Sequence, residues 1–228
     1  MSFSWTSLIP GVGHEYAHVA TAGIVTGGLV VASVAARKAL GTGDAAVVPA
    51  DKFSLKGFFE LITEFIAGLV DMVIGEGGRK YLPMFASFFT FVLINNLVGV
   101  IPGMAPATEN LNTTLAMGLF VFITYNLFGL RENGVSYLKH FLGPVIWLGP
   151  LMLVIELISH IVRPISLGLR LANVLKGDHT VVGIFLDLVP IGLPIPFYLL
   201  GMFVAFVQAF VFTLLSMVYV ALATAHDH

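Results

Sequence analysis

The sequence predicts an all-α integral membrane protein of about five transmembrane helices and one interfacial amphipathic helix, its last two helices forming a long tilted hairpin. Composition gives the class: 57% of the residues are hydrophobic and 11% charged, whereas a soluble domain carries roughly a quarter charged residues. Length gives the helix count, because a spanning helix needs about 20 mainly apolar residues. Five stretches qualify, at 16–36, 81–101, 112–130, 145–176 and 193–224, within what reads as a single membrane domain over 1–228. The last two exceed what a bilayer requires, and extra length is taken up by tilt or bend. Pro190, Pro194 and Pro196 mark the break between them, since proline ends or kinks helices.

The first span follows no positively charged leader and no small-residue cleavage site, so it reads as part of the mature chain. Residues 53–75 differ from the spans: Lys56, Glu60, Glu64 and Asp71 recur at helical spacing while Phe and Leu fill the other side. That pattern predicts an amphipathic helix lying at the interface, with a sixth, poorly hydrophobic span as the other reading. A shorter amphipathic piece is expected near 134–143.

Lys and Arg orient the chain, because cytoplasmic connections hold the excess of positive charge. Arg37, Lys38, Lys52, Lys56, Arg79 and Lys80 lie between spans one and two, and Arg131 and Lys139 between three and four. The segment before Arg37, the loop 102–111 and the stretch 177–196 contain neither residue. The N-terminus is therefore expected outside and the C-terminus in the cytoplasm. A net charge of -2 gives no sign of a nucleic-acid partner, and the absence of cysteine excludes disulfides, thiolate metal sites and thiol catalysis. No internal repeat stands out, which weakens an inverted-repeat transporter.

The fourth span carries a polar stripe. Glu156, Ser159, His160, Arg163, Ser166, Arg170, Asn173 and Asp178 follow one another mostly in steps of three and four, which places them on one broad helix face. Pro164 has no turn residues around it and predicts a kink, and Gly168 lets another helix approach closely beside Arg170. Arg163 and Arg170 stand about 10 Å apart along the axis. Arg163 can snorkel toward the headgroups, whereas Arg170 lies deeper and keeps its proton. Ionisable groups at such depth are functional candidates by default. The partner of Arg170 is either an acid of its own bundle or a carboxylate on another chain. At about 4 Å and an effective dielectric near 20 such a pair attracts by roughly 4 kcal/mol, which favours the ionised carboxylate. Few acids lie at that depth in the other helices, which points to another chain.

These residues resemble subunit a of the F-type ATP synthase, and the match covers nearly the whole chain. ISLGLRL at 165–171 is similar to the family's most specific motif, with Arg170 on its essential arginine. NLVGVIPG at 96–103, ENLNTTLAMGL at 109–119 and Gln208 in the last span fall on further family elements in the same order, as do Glu156 and Ser159. The resemblance implies a stator subunit of a rotary motor, in which ring carboxyls pass Arg170 between two offset half-channels. It implies as partners a ring of c subunits, b-type peripheral stalk subunits and, through them, a soluble catalytic head. Proton rather than sodium is the expected ion, and no cofactor is expected. A bacterial inner membrane is the expected location. For the outer half-channel it assigns Asp178, His179, Asn173 and Gln208; His179 suits a proton relay because imidazole titrates near neutrality. For the inner half-channel it assigns Glu156, Ser159 and Ser166, hydroxyls that could instead bond their own helix backbone. Two positions depart from the family. Asn173 follows the arginine by three residues rather than four, and Gly201 stands where many members carry an ionisable residue. Asp178 is the group able to take that part.

A rival motif is HEYAH at 14–18, where His14, Glu15 and His18 match the H-E-x-x-H zinc pattern. It would make the chain an intramembrane metalloprotease, with Asp187 as the one plausible late acid ligand. A purely structural scaffold is a third reading, which leaves the intramembrane Arg, Asn and Gln without a purpose.

Overall fold

The computed structural model describes residues 16–39, 54–101, 103–134, 137, 149–188 and 194–225. Among them six long helices follow one another: α1 (Ala17–Ala39), α2 (Leu55–Val73), α3 (Leu82–Val100), α4 (Leu111–Asn133), α5 (Gly149–Leu188) and α6 (Pro194–Thr224). Among the described residues five segments are long and apolar enough to cross a membrane: Ala17–Lys38, Gly77–Val100, Leu111–Asn133, Leu151–Leu186 and Pro194–Thr224. The protein is an all-α integral membrane protein. α2 is not one of the five. It buries Ile62, Ile66 and Val70 at four-residue spacing and pairs Lys56 with Glu60 at 3.5 Å, the two-sided pattern its sequence requires.

Helix ends follow local chemistry. The Ser54 side chain accepts from the Gly57 amide at 3.2 Å to start α2, and Asn110 accepts from the Asn112 amide at 2.9 Å to start α4. α4 stops at Gly134, whose φ of 54° lies in the left-handed region. α6 opens on Pro194, where a missing N–H costs nothing. The 134–143 piece and Pro190 lie almost wholly outside the described residues.

One feature differs from the sequence reading. α5 does not stop near 176 but continues to Leu188, so Asp178 and His179 stand on the helix and not in the outer connection. Hydropathy failed to mark this because Lys176, Gly177, Asp178 and His179 interrupt the apolar run while the 3.6-residue register continues. Pro164 sits inside α5 without ending it, as its lack of neighbouring turn residues predicts.

Around this frame α4, α5 and α6 pack closely, and α3 lies against α6. The core joins Phe85 and Phe89 of α3, Tyr125 of α4, Leu171 of α5 and Phe212 and Met217 of α6. Lipid is as apolar as these side chains, so close approach and hydrogen bonds drive helix association. Where α4 crosses α5, a methyl group on Gly118 would lie 2.4 Å from the Pro164 carbonyl oxygen. One on Gly168 would lie 2.9 Å from that of Thr114. Glycine at both positions lets the two backbones touch.

Candidate functional site

Site geometry begins with a short 3₁₀ turn, Ala107–Glu109, between α3 and α4. Thr108 is fully buried and donates to Asn96 Oδ1 at 2.8 Å, while Asn96 Nδ2 donates to the Ala205 carbonyl at 3.1 Å. The turn is thus tied to α3 and α6 at once. On its other side Asn110 Nδ2 lies 3.2 Å from His18 Nδ1 on α1. Satisfying these groups inside apolar surroundings fixes the turn, because an unpaired polar group there is costly.

The fixed turn presents Glu109 to α5. Glu109 Oε2 lies 3.1 Å from His179 Nδ1, with both side chains partly exposed. An ionised carboxylate only accepts, so Nδ1 carries the hydrogen. The other edge of the imidazole rests against Gly99: a methyl there would meet Cε1 at 2.8 Å and Nε2 at 2.9 Å. Asp178 fills the equivalent gap at Gly201, where a methyl would lie 2.7 Å from its Oδ2. Glu109, Asp178, His179, Tyr198 and the two glycines line a cavity of about 380 Å³. Glu109 escaped the sequence reading even though it lies within ENLNTTLAMGL. An acid in a loop free of Lys and Arg was the available signal.

Asn173 and Gln208 do not line this cavity. Asn173 is exposed on α5, and Gln208 is 5% exposed within α6. At the opposite end of α5, Glu156 Oε1 pairs with Arg163 Nη2 at 3.4 Å, and the Arg163 guanidinium sits 5.7 Å from the Tyr219 ring centre. Ser159 is exposed and Ser166 half-buried on the same side.

Arg170 lies between the two ends, about 12 Å along the axis from Asp178 and about 21 Å from Glu156. Its neighbours Leu167, Leu171 and Leu175 are at most 2% exposed and form the stripe that packs inward. Arg170 is turned away from that stripe and is exposed. Among the described residues it forms no ion pair. Leu169 and Val174 near it on α5 are exposed apolar residues, and Leu199, Phe203 and Phe206 on α6 are exposed as well. The zinc pattern does not assemble among the described residues: no group of three or more His, Asp or Glu could hold a metal. His14 and Glu15 lie outside them.

The fold and the site define a helical membrane protein of the ion-conducting class, with a permanent cation on an outward apolar face and polar groups toward each end of the same helix. The sequence pattern described as ATP synthase A chain matches residues 18–221. The chain is 69% identical over 229 residues to ATP synthase subunit a of Bdellovibrio bacteriovorus, covering 100% of both. It is 46% identical over 200 residues to ATP synthase subunit a 2 of Syntrophotalea carbinolica, covering 88% of this chain and 84% of that one. To ATP synthase subunit a of Geobacter sulfurreducens it is 42% identical over 200 residues, covering 87% and 84%. The chain therefore belongs to the ATP synthase A chain family, which displaces the protease reading of HEYAH.

Proposed function

We propose that Arg170 is the electrostatic gate between two half-channels of a rotary ATP synthase. The observation that carries this reading is the outward, exposed placement of a permanent cation with no ion pair among the described residues. The chain serves as the proton-channel stator subunit. A proton enters from the outer side through the cavity that holds Glu109, His179 and Asp178, loads a ring carboxylate and travels with the ring. Facing Arg170, the carboxyl releases its proton to the inner half-channel, because an adjacent guanidinium favours the ionised form. The cation also opposes the direct passage of protons from one half-channel to the other.

Asn173 and Gln208 complete the outer path in this reading, and Glu156, Ser159 and Ser166 the inner one. Asp178 replaces the ionisable group absent at Gly201, and the fit of its carboxylate against that glycine supports the exchange. One charge crossing the membrane releases about 2.3 kcal/mol per 100 mV, so several protons are needed for each ATP. Synthesis takes place in a separate soluble head, reached through b-type stalk subunits. The isolated chain is not itself an enzyme. The chain forms a single membrane domain in a bacterial inner membrane, with the N-terminus outside and the C-terminus in the cytoplasm.

The test uses vesicles containing the whole complex. Arg170→Ala is expected to abolish ATP-driven proton pumping and ATP synthesis while the ring still co-purifies. Normal coupled pumping by that variant would sink the proposal.

A further inference from the structure

His160 is a buried titratable side chain, 7% exposed, that no step above uses. It stands on α5 about 15 Å from Arg170 toward the Glu156 end. Its Nε2 lies 2.9 Å from Asn126 Oδ1, and its Nδ1 lies 3.3 Å from the Tyr125 hydroxyl. The Asn126 amide nitrogen donates to the Phe122 carbonyl at 2.7 Å, and Tyr137 donates to Asn126 Oδ1 at 2.9 Å. An amide oxygen only accepts, so Nε2 must carry a hydrogen, and in the neutral ring Nδ1 accepts from the Tyr125 hydroxyl. One neutral tautomer fits these bonds.

The backbone at this point lacks one helical hydrogen bond. Pro164 has no N–H, so the His160 carbonyl four residues earlier loses its helical partner, and the proline ring crowds it. Beyond Pro164 the Gly118 and Gly168 crossing holds α5 to α4. Before it, the bonds from His160 to Tyr125 and Asn126 do so. The same cluster reaches α6, since the Tyr125 ring packs 5.9 Å from that of Tyr219, over which Arg163 lies. Glu156 and Arg163 flank His160 at four and three residues along the helix.

We propose that His160 is a positioning residue for the inner half-channel: clamped between Tyr125 and Asn126, it fixes the part of α5 before Pro164 and so holds Glu156 and Arg163 at the exit. The role rests on the proton-path reading of α5. His160→Leu in the whole complex is expected to lower ATP-driven pumping by on the order of fivefold or more, with the ring still co-purifying. His160→Gln, whose amide supplies both a donor group and an acceptor, is expected to restore most of it. Normal pumping by His160→Leu overturns the proposal, as do equal losses in the Leu and Gln variants. If the Leu variant does not assemble, nitrogen NMR of ring-labelled histidine in the intact complex decides, with His160→Gln identifying the signal. A single Nε2–H tautomer at neutral pH supports the proposal, and an imidazolium or a tautomer mixture overturns it. Failure of the proton-path reading shows instead as normal pumping by Arg170→Ala.

Discussion

Gly99 and Gly201 act by what they leave empty. A methyl at Gly99 would meet the Pro106 ring at 2.7 Å as well as the His179 imidazole, and neither yields easily. A methyl at Gly201 would meet only the end of the Asp178 side chain, which can swing aside. Gly99→Ala is therefore expected to cut ATP-driven pumping by about tenfold and Gly201→Ala by less, because small misplacements of a relay group are costly in rate. Gly23→Ala, which meets nothing within 4 Å, serves as the control. Dye-quenching assays on vesicles check the order, and equal activity in all three would refute it. Arg170 itself was legible as a costly cation, because its place in the stripe is written in the sequence. Its outward direction was not. That depended on the azimuth of α5, set by Leu167, Leu171 and Leu175 against α4 and α6.

At the scale of elements, the crossing of α4 and α5 sets where Arg170 points. Gly118→Val would drive side-chain atoms into the Pro164 carbonyl, and overpacking of this kind costs typically 1–3 kcal/mol. A lowered thermal midpoint of the detergent-solubilised complex is the expected result, and an unchanged midpoint would show that the crossing can relax. Five spans and an amphipathic α2 were readable because each follows from composition summed over a window of about 20 residues. The outer end of α5 was not, since Lys176, Gly177, Asp178 and His179 in a row look like a loop to hydropathy and like one more helical turn to the backbone. The cavity depended on that extension, because Asp178 and His179 sit on it.

Across the whole molecule, the pairings that build the site join distant parts of the chain. Glu109 meets His179 across 70 residues, and Asn96 holds Ala205 across 109. Such a fold has a definite sidedness, and a chain without cysteine offers a clean background on which to read it. Met104→Cys, at the cavity, is expected to react with a membrane-impermeant maleimide in right-side-out vesicles. Ala225→Cys is expected to react only in inverted ones. The reverse pattern would invert the assignment of outer and inner half-channels.

The sequence by itself determined the class of protein, the number of its spans, its family resemblance and the residue that is costly to bury. Each of these is carried by local composition, periodicity or motif, which a single chain displays without its partners. Tertiary structure decided which polar groups face one another: Glu109 with His179, Asp178 with the gap at Gly201, and His160 with Tyr125 and Asn126. The physical reason is that two helices of the same period can meet at many rotations and offsets. Among the described residues, the close contacts at Gly118, Gly168, Gly99 and Gly201 and the buried bonds of Asn96, Thr108 and His160 help to select one of them.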